Sequence, residues 1–196
     1  MFPRLNSKTE VFYNITNPNE IKKMADAYPL ELRTCEMQVV LVTVGRISEE
    51  KGQTVIPQAT RLLLEKGYNI IWYLVGTGPI EIEIEEKIKQ HDVANNVVLC
   101  GRKDNPYPYI KNCDIYVQTS KTEGWGLTVS EAKILNKPIV TTDAGVMREQ
   151  IENGINGIIT KNDSERKCAY AGKGITGDHA RPKDHIPGAP CGGRQG

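Results

Sequence analysis

Two glutamates eight positions apart, Glu123 and Glu131, stand in the segment SKTEGWGLTVSEAKILNKPIV. With the second on a helix, the rise of the chain separates them by roughly 12 Å, the scale of a ribose and a sugar on either side of a pyrophosphate. Each carboxylate could accept hydrogen bonds from a vicinal diol, while the amides of Gly126, Leu127 and Thr128 face a phosphate between them. A plainer reading makes Glu123 a helix-start acid favoured by the dipole and Glu131 an exposed helical residue. Gly124 and Gly126, on either side of Trp125, weigh against it because they keep the loop open. Ala132 lets the helix lie close to a sheet.

A second group is cationic. In GRISEEKG, Arg46 and Lys51 follow an apolar run directly. Arg offers a planar fork to two oxygens and Lys a compact charge, so the pair suits a diphosphate at a helix start. A solvated charged turn is the alternative. In VGTGP, Gly76 and Gly78 allow close backbone approach to a ligand, although a tight turn explains them equally well. Gly101 and Arg102 end a later apolar run, where a base could lie.

These loops need a scaffold. From Val39 the chain alternates short apolar runs with longer stretches of helical period: VVLVTV, GQTVIPQATRLLLEKG, IIWYLVG, PIEIEIEEKIKQHD, NVVLCG. This is the rhythm of βαβ units. Val55, Ala59, Leu62, Leu63 and Lys66 predict one face of the first helix, which Gly67 stops. A turn is expected around Asn105 to Asn112, then a strand at 114–118, a helix at about 126–135 and a strand at 138–142. Runs apolar on both faces require a parallel sheet covered by helices on both sides. Ligands bind such sheets at the carboxyl ends of the strands, which points to the loops after Val44, Val75, Cys100, Gln118 and Thr142.

The flanks differ. Residues 1–38 read as a strand, VFYNIT, and a polar connection with a short helix, and 39–161 as the binding domain. Residues 162–196 are rich in Gly, Pro, Lys and Arg without period, and are expected to be disordered. A net charge of +1 with scattered cations argues against nucleic acid as a partner. Five cysteines without CxxC spacing suggest neither a zinc ribbon nor a disulfide framework, and a cytoplasmic protein is expected. The N-terminus lacks the apolar stretch of a signal peptide.

From Val39 to Thr160 the chain resembles the C-terminal domain of the family 4 glycosyltransferases, the glycogen-synthase-like group 1 enzymes. Four motifs agree in order: GRISEEKG, VGTGP, EGWGLTVSEA and DAGVMREQIENGINGIIT. The resemblance implies a Rossmann-like α/β sheet with helices on both faces, forming the C-terminal half of a two-domain GT-B fold. It implies a retaining transferase that takes a sugar from a nucleoside-diphosphate donor such as a UDP-sugar, in glycan or polysaccharide synthesis. The donor is a substrate, and neither cofactor nor metal is implied; no D-x-D spacing stands at a strand end. By the match, Arg46 and Lys51 neutralise the diphosphate, Glu123 contacts the donor sugar and Glu131 binds the ribose diol. The first three are the expected catalytic residues, and Gly76, Gly78, Arg102, Gly124, Gly126, Leu127 and Thr128 the expected further contacts.

A glycan or lipid-linked acceptor would be held by a separate N-terminal domain, through which alone a membrane surface would be met. The chain by itself is therefore expected to be incomplete for turnover. The alternative is an inactive nucleotide-sugar-binding module or a truncated product; the paired glutamates argue against an epimerase or phosphorylase of similar architecture. The pattern departs from the family at Asn136 and Val146, where glycines are usual. None of His91, His179 and His185 matches the family's histidine near the sugar.

Overall fold

The structure, a computed structural model, describes residues 17–160. The expected strand at 11–16 and the expected disorder of 162–196 lie outside these residues. Asn17 opens the first helix, α1 (Pro18–Ala25), by accepting the amides of Asn19 and Glu20 on its side chain. Then come β1 (Val39–Val44), two short 3-10 turns, α2 (Ile56–Glu65), β2 (Ile70–Val75), α3 (Glu81–Gln90), β3 (Val97–Leu99), α4 (Tyr107–Asn112), β4 (Ile115–Gln118), α5 (Leu127–Ile134), β5 (Ile139–Thr142), α6 (Met147–Gln150) and β6 (Ile158–Thr160).

The six strands form one sheet in the order β3-β2-β1-β4-β5-β6, every pair parallel. The order reverses between β1 and β4, the point where doubly wound sheets bind ligands. Both faces are buried. Leu41, Trp72 and Leu74 pack with Ile56, Leu63 and Ile84 under α2 and α3. Val40, Val42 and Tyr116 pack with Ile110, Val129, Ala132 and Met147 on the other face, which Leu32 from the segment before β1 completes.

Two local expectations change. The segment 105–112 is not a turn throughout but holds α4: the Asn105 side chain accepts the Tyr107 amide, and Pro106 sits at the helix start with a helical backbone. The buried face of α2 is Ile56, Ala59, Thr60 and Leu63, with Lys66 exposed at the cap. The 3-10 turns over Glu49–Lys51 and Gln53–Val55 delay the helix start and rotate the expected stripe. Cys100 and Cys113 are free thiols, whereas Cys35 is disulfide-bonded. No helix among the described residues is long and apolar enough to cross a membrane.

Candidate functional site at the carboxyl edge of the sheet

The loop after β1 carries both expected cations, and its shape follows from glycines. Gly45 begins it at a φ of 156°. It then lies against the loop after β2: the Ile47 amide donates to the Thr77 carbonyl at 3.0 Å, and the Gly45 amide to the Val75 carbonyl at 3.0 Å. The contact is backbone on backbone. A Cβ on Gly76 would stand 1.9 Å from the Gly45 carbonyl oxygen, and one on Gly78 1.9 Å from that of Ile47. Both glycines are thus required by the neighbouring loop, whatever else approaches them.

Above these loops lies a cleft of about 470 Å³. Arg46, Gly76, Gly78 and Arg102 line it together, joined by Thr77, Lys103 and Pro106. Three cationic side chains from two loops therefore face one space, and the cleft floor is the glycine turn.

Lys51 turns toward the other side of the switch point. Its Nζ lies 2.7 Å from Glu123 Oε1 in the loop after β4. The Lys51 carbonyl accepts the Thr119 hydroxyl at 2.8 Å, and the Glu50 carbonyl accepts the Lys121 amide at 2.8 Å. The two loops are laced together. Glu123 Oε1 also accepts from Gln118 Nε2 and from the Ser120 hydroxyl, each at 2.6 Å. Burial pushes this carboxyl up, but the bonds from Lys51, Ser120 and Gln118 and the charge of Lys51 together hold it below the ordinary glutamate value.

Glu131, one turn into α5, is shifted the other way. Burial pushes its carboxyl up, and the hydrogen bond from the Tyr107 hydroxyl, at 3.2 Å, offsets only part of this. In turn the Tyr107 hydroxyl is pushed up to about 12, first by burial and then by the Glu131 charge. Tyr107 follows Pro106, which lines the cleft. The buried phenol of Tyr116 is raised first by burial and further by the charges of Glu131 and Glu123. It donates to Gln118 Oε1 at 2.9 Å.

The glycine loop bears on α5 itself. Gly126 sits at the helix start with a φ of 77° and brings no capping side chain, so the first-turn amides of Leu127 and Thr128 keep donor capacity. A Cβ at Gly126 would meet the Met147 methyl at 2.4 Å, while Gly124 is open. Leu127 is exposed, and Thr128 donates to Gln118 at 3.4 Å. The expected residues thus fall into three adjoining groups: Arg46, Arg102 and the glycine turn; Lys51 with Glu123; Glu131 with Tyr107. Sequence reasoning missed Gln118, Ser120, Tyr107 and Tyr116. The polar run QTS ending an otherwise apolar strand was the available signal for the first two. Among the described residues no cluster of three or more His, Cys, Asp or Glu could hold a metal ion.

Known proteins resemble this chain in sequence and in fold. The family model described as glycosyl transferases group 1 matches residues 18–172. Over 145 residues the chain is 30% identical to the uncharacterized glycosyltransferase MJ1059 of Methanocaldococcus jannaschii, covering 72% of this chain and 36% of that protein. Over 131 residues it is 30% identical to the capsular polysaccharide biosynthesis glycosyltransferase CapM of Staphylococcus aureus, covering 66% and 34%. The chain spans about a third of the length of these relatives. The crystal structure of Anabaena Alr3699/HepE in complex with UDP and glucose superposes with a TM-score of 0.67 at 24% identity, covering 83% of this chain and 44% of that one. The fold is the C-terminal half of a GT-B glycosyltransferase. With most of its length matched by the family model, the chain belongs to the group 1 glycosyl transferases.

Proposed function

We propose that this chain is the donor-binding half of a retaining, metal-independent glycosyltransferase that moves a sugar from a nucleoside-diphosphate donor to a glycan or lipid-linked acceptor. The observation that carries the reading is the Lys51–Glu123 pair at the β1/β4 switch point, beside a cleft lined by Arg46 and Arg102. Negative charge grows on the diphosphate as the glycosidic bond breaks. Arg46 and Lys51 stabilise it as fixed cations, aided by the amides of Gly126, Leu127 and Thr128. Glu123 accepts from hydroxyls of the donor sugar. Glu131 accepts from the ribose diol, and the cleft over Gly76, Gly78 and Arg102 takes the nucleoside.

The UDP and glucose bound by Alr3699/HepE and the capsular role of CapM support a uridine donor and a polysaccharide pathway. A donor-binding module without catalysis would use the same contacts. Calorimetry with UDP, UDP-glucose and GDP-mannose tests the donor reading. Binding of at least one, weakened at least tenfold in Lys51→Ala, is expected; no heat with any of them sinks it.

A further inference from the structure

Three donors converge on one oxygen of Glu123. Lys51 Nζ, Gln118 Nε2 and the Ser120 hydroxyl all reach Oε1, at 2.7, 2.6 and 2.6 Å. A carboxylate divides its acceptor capacity over two oxygens, so crowding donors on Oε1 leaves Oε2 to serve another partner.

Gln118 is the unusual member. It ends β4, is 3% exposed, and follows Ile115, Tyr116 and Val117 in a strand buried throughout. A polar side chain there is costly unless every group is bonded. Both ends of this amide are. Nε2 donates to Glu123 and, at 2.8 Å, to the Ser120 hydroxyl. Oε1 accepts from Tyr116 at 2.9 Å and from Thr128 at 3.4 Å. The neighbours fix which end is which, because a flipped amide would set its oxygen against the Glu123 carboxylate.

We propose that Gln118 is a positioning residue: it holds the Glu123 carboxylate in one orientation, with Oε1 on Lys51 and Oε2 left for the donor sugar, and ties it through Thr128 to the helix carrying Glu131. The sugar contact rests on the donor reading above. Loss of Gln118 then weakens recognition of the sugar and spares that of the nucleoside diphosphate.

The test pairs a ligand-free measurement with a binding one. Gln118→Met fills similar space without a donor. Gln118→Glu keeps the acceptor for Tyr116 and Thr128 but puts a second carboxyl where the donor stood, and it serves if the first variant fails to fold. The Glu123 titration is followed by carbon NMR of glutamate-labelled chain, assigned with Glu123→Gln. Its midpoint is expected to rise in Gln118→Met, which a merely space-filling glutamine would not cause; in Gln118→Glu the added charge raises it in any case, so there the sugar preference decides. Binding of UDP is expected to stay within about twofold, while the preference for UDP-glucose or UDP-N-acetylglucosamine over UDP falls about tenfold, the effect of one lost hydrogen bond to a charged group. An unmoved midpoint, or a moved midpoint with the sugar preference intact, overturns the proposal. Should the wild-type chain bind no nucleotide, the donor reading fails by itself and the titration alone decides whether Gln118 governs Glu123.

Discussion

Lys51 Nζ and Glu123 Oε1 meet at 2.7 Å although 72 residues separate them in the chain. The contact joins the loops on either side of the reversal in strand order. It also puts a side-chain carboxylate that is only 6% exposed against a cation that is 30% exposed. The cation remains open to a further anion, while the carboxylate depends on its donors.

Lys51→Ala removes one of those donors. Unfolding free energy at neutral pH should fall on the order of 2 kcal/mol, because a buried carboxylate loses a charged partner. Turnover in an enzyme containing both halves should drop about a hundredfold, from the loss of a preorganised cation worth on the order of 3 kcal/mol. Adding Glu123→Gln should restore stability without restoring turnover. Urea denaturation and steady-state kinetics read the two effects apart.

The glutamates should respond oppositely to neutralisation. Glu123 is held below the ordinary glutamate value, so its stabilisation is full above that value and is lost as pH falls through the folded one. Glu123→Gln should therefore be less stable than wild type at pH 7, with the gap closing in acid. Glu131 is raised, so its contribution is full in acid and fades as pH rises through the folded value. Glu131→Gln should be at least as stable as wild type at pH 7, yet bind UDP more weakly. Urea titrations at several pH values, with calorimetry at pH 7, check both.

Gly78→Ala should cost about 3 kcal/mol or more, since its new carbon would stand 1.9 Å from the Ile47 carbonyl and the backbone must move. Gly101→Ala has open space and only the strain of a φ of 68°, about 1 kcal/mol. Equal losses in thermal unfolding would contradict the interlock of the two loops.

Thr60 lies on the buried face of α2 with a hydroxyl oxygen that has no partner. Thr60→Val keeps the shape and removes an unsatisfied group, so it should raise stability by about 1 kcal/mol. It lies away from the cleft residues, and binding of UDP should not change.

The strand rhythm was legible from Val39 onward because runs apolar on both faces admit little but a covered parallel sheet. The sequence placed Arg46, Lys51 and Glu123 in the segments after the first and fourth strands and Glu131 within the helix that follows, and the structure has them there. The short helix at Tyr107 was not legible, since a six-residue segment with one proline inside it and another just before it carries no period, and its start is set by the Asn105 side chain. Nor was the ion pair of Lys51 with Glu123. Pairing across 72 residues follows from strand order, and the reversal between β1 and β4 leaves no local mark. Gln118 and Tyr116 hid inside an apolar strand, where a single polar residue reads as tolerated rather than employed.

The interlocked glycine turn divides the cleft into parts of unequal adaptability. Its floor, Gly76 and Gly78 against Gly45 and Ile47, admits no added atoms. The opposite rim, Arg102 and Lys103, is free of such crowding, and a side chain at neighbouring Gly101 would meet nothing within 4 Å. If the cleft takes the nucleoside of the proposed donor, attempts to retune which base is accepted should randomise residues 101–103 and leave Gly76 and Gly78 alone, for variation can accumulate on that rim without unseating the sheet beneath it.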